Sequence, residues 1–335
     1  MGGSNSTGKS RLFGICARFL IVALAACAAF GQDTPQRPEQ VSPPLRISVD
    51  RVNVGVVVTG FRDHFVEHLR RDQFEIRDNG VKQPLTAFLS IDDPAQIVLM
   101  LECGPAAYLF RAQLVHTADT LLIRLAPSDR VAVVCYDTSP QLLVDFTADK
   151  RDVAATLRGI NFAAGFAEVN LSSSLFAVLD SLRSVQGKKT IVLVTSGIDT
   201  SPPTSPEALR AKLGASDVRI VAVSTAQEMQ KMPRWRKIPA EQREERKEVK
   251  RTLNQASQSL REISDLTGGR IFMPNSSKDF DRASEEIAGI VRHEYDLEFA
   301  PAIHDGKLHN LEVRVRNHSY TVKYRQFYLA PSPAN

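Results

Sequence analysis

Cysteine is scarce and neither sign of charge dominates. Four cysteines and one tryptophan stand in 335 residues, and 42 basic against 38 acidic side chains leave a net charge of +4. So small an excess excludes a chain-wide surface for polyanions, and no Cys/His spacing of the zinc-binding kind occurs. Also missing is an apolar run of the roughly 20 residues that a membrane-spanning helix needs. The run from Phe19 to Phe30 falls short of that. What remains is a composition of 43% hydrophobic and 24% charged residues, ordinary for one large globular domain or two modest ones.

The amino-terminal stretch reads as an address. Lys9, Arg11 and Arg18 precede the apolar run, and Ala29-Phe30-Gly31 supplies small residues at a cleavage site, so residues 1–31 are expected to be a signal peptide and the protein to be exported to the periplasm, cell envelope or medium. Leu24-Ala25-Ala26-Cys27 also resembles a lipobox, in which case Cys27 would carry lipid and the protein would be held at a membrane; otherwise no membrane contact is expected. Gly3, Gly8, Lys9 and Ser10 satisfy the phosphate-loop pattern, but a phosphate loop follows a strand, and only two residues precede this one. Residues 32–45, rich in Pro and Gln, read as a disordered linker. Beyond the leader only Cys103 and Cys135 remain; in an oxidising compartment they could pair, although their places near apolar strand ends favour two buried thiols.

Residues 46–92 alternate β-branched and polar residues, and Asp78-Asn79-Gly80 marks a tight hairpin, giving a small all-β unit. From residue 93 the rhythm changes. Strands "QIVLMLE", "RVAVVCYD", "KTIVLVTSG" and "VRIVAVST" are near-continuously apolar and alternate with helical stretches, the pattern of a parallel sheet covered on both faces in a doubly wound α/β fold. The charged segment 228–259 around Trp235 reads as a solvated helical insertion laced with Glu and Lys/Arg pairs; it lacks the aromatic ladder that bases would need, so no nucleic acid is expected. Residues 294–329 alternate again as strands.

The order of these pieces, from "VNVGVVVTG" and "LRRDQFEIRDNGVKQPLTAF" through "DRVAVVCYD", "KKTIVLVTSG" and "LREISDLTGGRIF" to "YDLEFAP" and "KLHNLEVRVRNHSYTVKYRQFY", resembles the von Willebrand factor A-related proteins of acidobacteria over residues 46–329. The resemblance implies a von Willebrand A-like, Rossmann-like sheet in residues 93–293, with the flanking strands forming a smaller β unit. It also implies a metal-ion-dependent adhesion site at the carboxyl ends of the strands, built from an Asp-x-Ser-x-Ser loop, a Thr and a second Asp. This chain departs from that set. Glu102, Gly104 and Ala106 stand where Asp, Ser and Ser belong, Ser172 or Ser173 is the surviving hydroxyl, and Ser196 replaces the second Asp. Asp137 and Asp199 are the nearest substitutes, but Mg²⁺ demands close to ideal octahedral oxygen geometry. The site therefore reads as degenerate, with neither metal nor other cofactor.

The function expected on these grounds is that of an exported, non-enzymatic, adhesion-like protein with an unidentified protein ligand. Two alternatives stand beside it. One is a serine or cysteine hydrolase using Ser196 or Cys103, although "VTSGI" lacks the first Gly of the nucleophile elbow. The other is a lipid-anchored structural component of the envelope.

Overall fold

The computed structural model describes residues 51–108, 110–160, 162, 168–200, 204–231 and 243–333. The signal peptide, Cys27, the linker and Trp235 lie outside the described residues. Residues Ser48–Asn335 form one compact unit.

A six-stranded sheet carries the α/β part, in the order β10 (Arg270–Phe272), β9 (Arg219–Ser224), β8 (Lys188–Thr195), β5 (Ala95–Glu102), β6 (Arg130–Tyr136), β7 (Pro140–Thr147). The first five are parallel, as near-continuous apolar strands dictate. The sequence reading gave β7 no place in the sheet; it closes the edge antiparallel to β6, with Leu142 and Leu143 exposed.

Strand parity sorts the core into two layers. Ile97, Leu99 and Leu101 face one cluster, built with helices α2 (Arg111–Arg124), α3 (Lys150–Gly159) and α8 (Ser277–Arg292). Val98 and Met100 face the other, with α4 (Leu171–Ser181), α5 (Pro206–Gly214) and the later part of α7 (Arg243–Leu266). The doubly wound α/β class expected from the sequence is the one found. Of the charged segment, residues 228–231 end the short helix α6 (Ala226–Lys231), and from Arg243 the rest runs on with the stretch after it as one helix of 24 residues. Lys247–Glu244 and Arg251–Glu248 pairs support its solvated first half, and Leu253, Ala256, Leu260 and Ile263 bury its inner stripe.

The two ends of the compact unit meet in a pair of four-stranded sheets. β13 (Thr321–Tyr324), β1 (Val52–Thr59), β11 (Glu294–Phe299) and β4 (Leu85–Leu89) form one; β14 (Phe327–Leu329), β12 (Leu308–Val315), β2 (Phe74–Asp78) and β3 (Val81–Gln83) form the other. Asn79 and Gly80, with φ of 46° and 82°, make the β2–β3 turn that the Asn-Gly pair announces. Val54, Ile76, Leu297, Phe299 and Val313 fill the space between the sheets.

Buried charge marks the seam between this sandwich and the amino ends of β8 and β9, beside the apolar packing of Val57 and Phe65 on the α/β core. Arg219 Nε lies 2.8 Å from Glu294 Oε1, each side chain only 3% exposed, and Arg219 also donates to the Gly268 carbonyl. Lys189 pairs with Asp217 at 2.8 Å, and Arg325 donates to the carbonyls of Ser216 and Asn53. Asp296 sits among these groups with Oδ1 unpartnered among the described residues. Burial, reinforced by Glu294 and Asp217, raises its pKa to about 8, against the smaller opposing effects of Arg325 and Lys189.

Two outcomes follow from the seam. Arg219→Met strands Glu294 in the interior and is expected to cost about 3–5 kcal/mol in urea unfolding, whereas Arg219→Met with Glu294→Leu recovers most of it. Asp296 holds its proton in the folded state far above the unfolded carboxylate range, so its contribution to stability is full below about pH 4 and is lost as pH rises toward 8. Asp296→Asn should remove that decline, read from urea midpoints across pH.

Candidate functional site

In an open α/β sheet the crevice lies beyond the carboxyl ends of the strands, where the strand order reverses. Here the chain leaves β5 toward β6 and later returns to β8 on the other side, which puts the ends of β5 and β8 at that point. Glu102 ends β5, and Thr195 and Ser196 end β8. All three are buried, Glu102 at 1% exposure.

Their polar atoms turn toward one another. Thr195 Oγ1 donates to Glu102 Oε2 at 2.7 Å, the Ser196 amide at 2.6 Å and Ser196 Oγ at 2.8 Å. Tyr136, at the end of β6, donates its hydroxyl to Thr195 Oγ1 at 2.8 Å. Glu102 Oε1 has no partner among the described residues. Burial outweighs the three donors and raises the carboxyl's pKa. The Tyr136 phenol is pushed well up as well, first by burial and then by the adjoining Glu102.

The remaining positions of the expected ion site are closed or turned away. A Cβ at Gly104 would stand 2.9 Å from Val169 Cγ2, so the space a serine would occupy is filled by a valine methyl. Ala106 falls in the short helix α1 (Pro105–Tyr108). Ser173 is exposed on the first turn of α4, its Oγ 3.5 Å from the Asn170 carbonyl. Asp199 accepts from the Ser172 amide at 2.8 Å and so caps α4 from a neighbouring loop; Asp137 accepts from the Thr138 amide and hydroxyl. Glu102, Thr195 and Ser196 thus aim their oxygens at one another inside the core, and positions 104 and 106 carry no hydroxyl.

The surrounding loops are tied together. Asn170 donates its amide to the Asp137 carbonyl at 2.7 Å and its side chain to the Thr138 carbonyl at 3.1 Å. Thr200 exchanges bonds with both backbone groups of Val169. Cys103 and Cys135 form a disulfide with Cα atoms 5.8 Å apart, which replaces the reading of two buried thiols and fastens the loop after β5 to β6.

The hydrolase reading loses its nucleophiles in this arrangement. Ser196 is 2% exposed and committed to Glu102, and Cys103 is spent in the disulfide. His116 lies with Asp281, His293 with Glu67, and His309 with Asp78 and Asp305, none of which belongs to this edge. The Glu102–Thr195–Ser196–Tyr136 cluster escaped the sequence reading because it treated the strand ends as surface loops. The signal available was a carboxylate and two hydroxyls ending neighbouring apolar strands.

No family model and no curated protein matches the chain. Among solved structures it is similar to a von Willebrand factor type A protein from Catenulispora acidiphila at 11% identity and TM-score 0.42, covering 77% of this chain and 73% of that one. An aerotolerance-related membrane protein from Bacteroides fragilis NCTC 9343 aligns at 13% identity and TM-score 0.42, over 58% of this chain and 98% of that one. The PilB minor pilin from Streptococcus sanguinis aligns at 12% identity and TM-score 0.43, over 63% of each. At such scores the fold assignment rests on the strand order described above.

Glu102→Ala leaves the Ser196 amide and hydroxyl without an acceptor in the core and is expected to lower unfolding free energy by about 3 kcal/mol, against about 1 kcal/mol for Glu102→Gln, which keeps a carbonyl oxygen for them. Urea unfolding at neutral pH measures both.

Proposed function

We propose that this chain is an exported, non-enzymatic interaction protein of von Willebrand A type that meets a protein partner at the carboxyl edge of its parallel sheet without a bridging ion. The observation that carries the reading is the inward closure of Glu102 on Thr195 and Ser196. Glu102 Oε2, Thr195 Oγ1 and Ser196 Oγ are spent on one another, so the edge offers a fixed shape in place of an open coordination position. Around it Thr138, Ser139 and Ser173 are exposed, and Tyr108, ending the short helix α1 that follows β5, is 40% exposed under Arg111. Exposed hydroxyls and one aromatic on a braced scaffold suit a polar protein surface, and the partner's identity is left to experiment. No described helix is long and apolar enough to cross a membrane.

Melting the mature protein with and without millimolar Mg²⁺ or Mn²⁺ tests the ion-free edge. No shift is expected; a saturable shift that Glu102→Ala abolishes overturns it. The mass of the mature amino terminus tests export, with cleavage before Gln32 expected and a lipid-bearing Cys27 pointing to an envelope-anchored component instead.

A further inference from the structure

The molecule has a second concave site at the opposite edge of the sheet, independent of the function proposed above. A cavity of about 310 Å³ opens at the seam, walled by β1 and β13 of the sandwich, the loop into β10, and α8. That volume is at the small end of ligand pockets, which run from roughly 300 to 1,000 Å³. Its apolar wall is Val57, Phe65 and Ile290, and its charged lining includes Asp63 and Lys323.

The charges do not all cancel. Two cations in the lining are already neutralised: Arg219 by Glu294, and Arg270 by Glu286 at 2.7 Å. Asp63 and Lys323, by contrast, have neither a hydrogen-bonding nor an ion-paired side-chain partner among the described residues. One free carboxylate and one free ammonium thus share a cavity with an apolar wall. Charged side chains bordering a cavity leave part of their electrostatic capacity available to a ligand that brings the opposite charges.

The walls are set in advance. Phe65 stacks on His293 with centroids 4.5 Å apart and planes 7° from parallel, and it presses so closely on Gly289 of α8 that any Cβ there would collide with the ring. His293 is held in turn by the Gly289 carbonyl and by Glu67 at 2.8 Å. Asp63 is presented by a tight turn in which Arg62 and Asp63 both take left-handed backbone angles, φ 56° and 59°. Such angles cost non-glycine residues on the order of 1–2 kcal/mol each, and the Asp63 amide to Gly60 carbonyl bond of 3.2 Å helps to hold the turn.

We infer that this seam cavity binds a small zwitterion carrying an apolar side chain, that is, a free apolar α-amino acid or a very short apolar peptide. Asp63 receives the ammonium, Lys323 the carboxylate, and Val57, Phe65 and Ile290 the side chain. The two sources share this chemistry and differ in length.

Calorimetric titration of the mature protein with L-leucine, L-phenylalanine, the dipeptide Leu-Leu, leucine amide and N-acetyl-leucine tests the inference. Saturable binding is expected for a zwitterion, with both blocked derivatives weaker by about tenfold or more, the worth of one charge-assisted hydrogen bond. Both charged residues are exposed, so Asp63→Asn and Lys323→Gln are expected to fold, which unchanged melting curves check. Lys323→Gln should weaken leucine about tenfold yet leave leucine amide unchanged; Asp63→Asn should do the same for leucine and leave N-acetyl-leucine unchanged. Tighter binding of Leu-Leu than of leucine identifies a peptide as the ligand, and the reverse a free amino acid. Absence of saturable binding by every zwitterion overturns the inference, as does binding that neither substitution alters.

Discussion

The Arg219–Glu294 ion pair holds the two halves of the molecule in register. Arg219 begins β9 in the parallel sheet, and Glu294 begins β11, an inner strand of the sandwich, so a buried contact of 2.8 Å joins two layers whose strands pair in separate sheets. Removing both charges from water costs about as much as their attraction returns, so the pair specifies where the sandwich sits more than it adds stability. Its surroundings show the same economy. Lys188 donates to the carbonyls of Ser90 and Ile91, Lys189 takes Asp217, and Arg325 reaches the Ser216 carbonyl across the seam and the Asn53 carbonyl on its own side. An apolar seam would tolerate sliding; paired charges of fixed geometry do not.

The opposite edge solves a different problem with a similar device. Strand ends in a doubly wound sheet converge as a ring of backbone and side-chain oxygens that need a partner. A metal ion is one answer. Here a carboxyl takes hydroxyl and amide donors from β8, and Tyr136 from β6 extends the chain of bonds, so three neighbouring strands are stitched by one buried network. The longer side chain of Glu relative to Asp matters, because the extra methylene lets the carboxyl of β5 lean over to β8. The disulfide fixes the loop that would otherwise be free to move above it.

Much of this was legible in the sequence and some was not, for identifiable reasons. Strands such as "QIVLMLE" announce burial on both faces by composition alone, and Asn79-Gly80 announces its turn by backbone preference. Pairings between distant segments leave no such mark. β1 finds β11 and β13 more than two hundred residues away; that the flanking strands join in one β unit was implied by the family resemblance, and their register was not legible in local pattern. Arg219 sits at the mouth of an apolar strand and reads locally as a surface charge. The extended character of "QLLVDFT" is legible, but its place at the sheet edge is not, because Leu142 and Leu143 both face outward and break the alternation that marks an edge. At the candidate site the substitutions at 102, 104 and 106 were visible, but the direction in which Glu102 turns depends on β8 lying next to β5, a fact of topology.

Both edges are joined by β8 and β9, and their construction bears on whether events at one reach the other. Every residue of these two strands is buried, with Ile191 to Val194 and Ile220 to Val223 fully enclosed between helices on both faces. Coupling between distant sites needs an element with two discrete arrangements that both sites bias. Close-packed parallel strands pinned by an ion pair at one end and a buried carboxyl network at the other offer one arrangement. A ligand at the seam therefore acts on what touches it directly: β13, the Arg62–Asp63 turn and the first strand of the sandwich. The partner surface proposed at the carboxyl edge would keep its shape, and the two proposed sites would act separately at the two ends of one sheet.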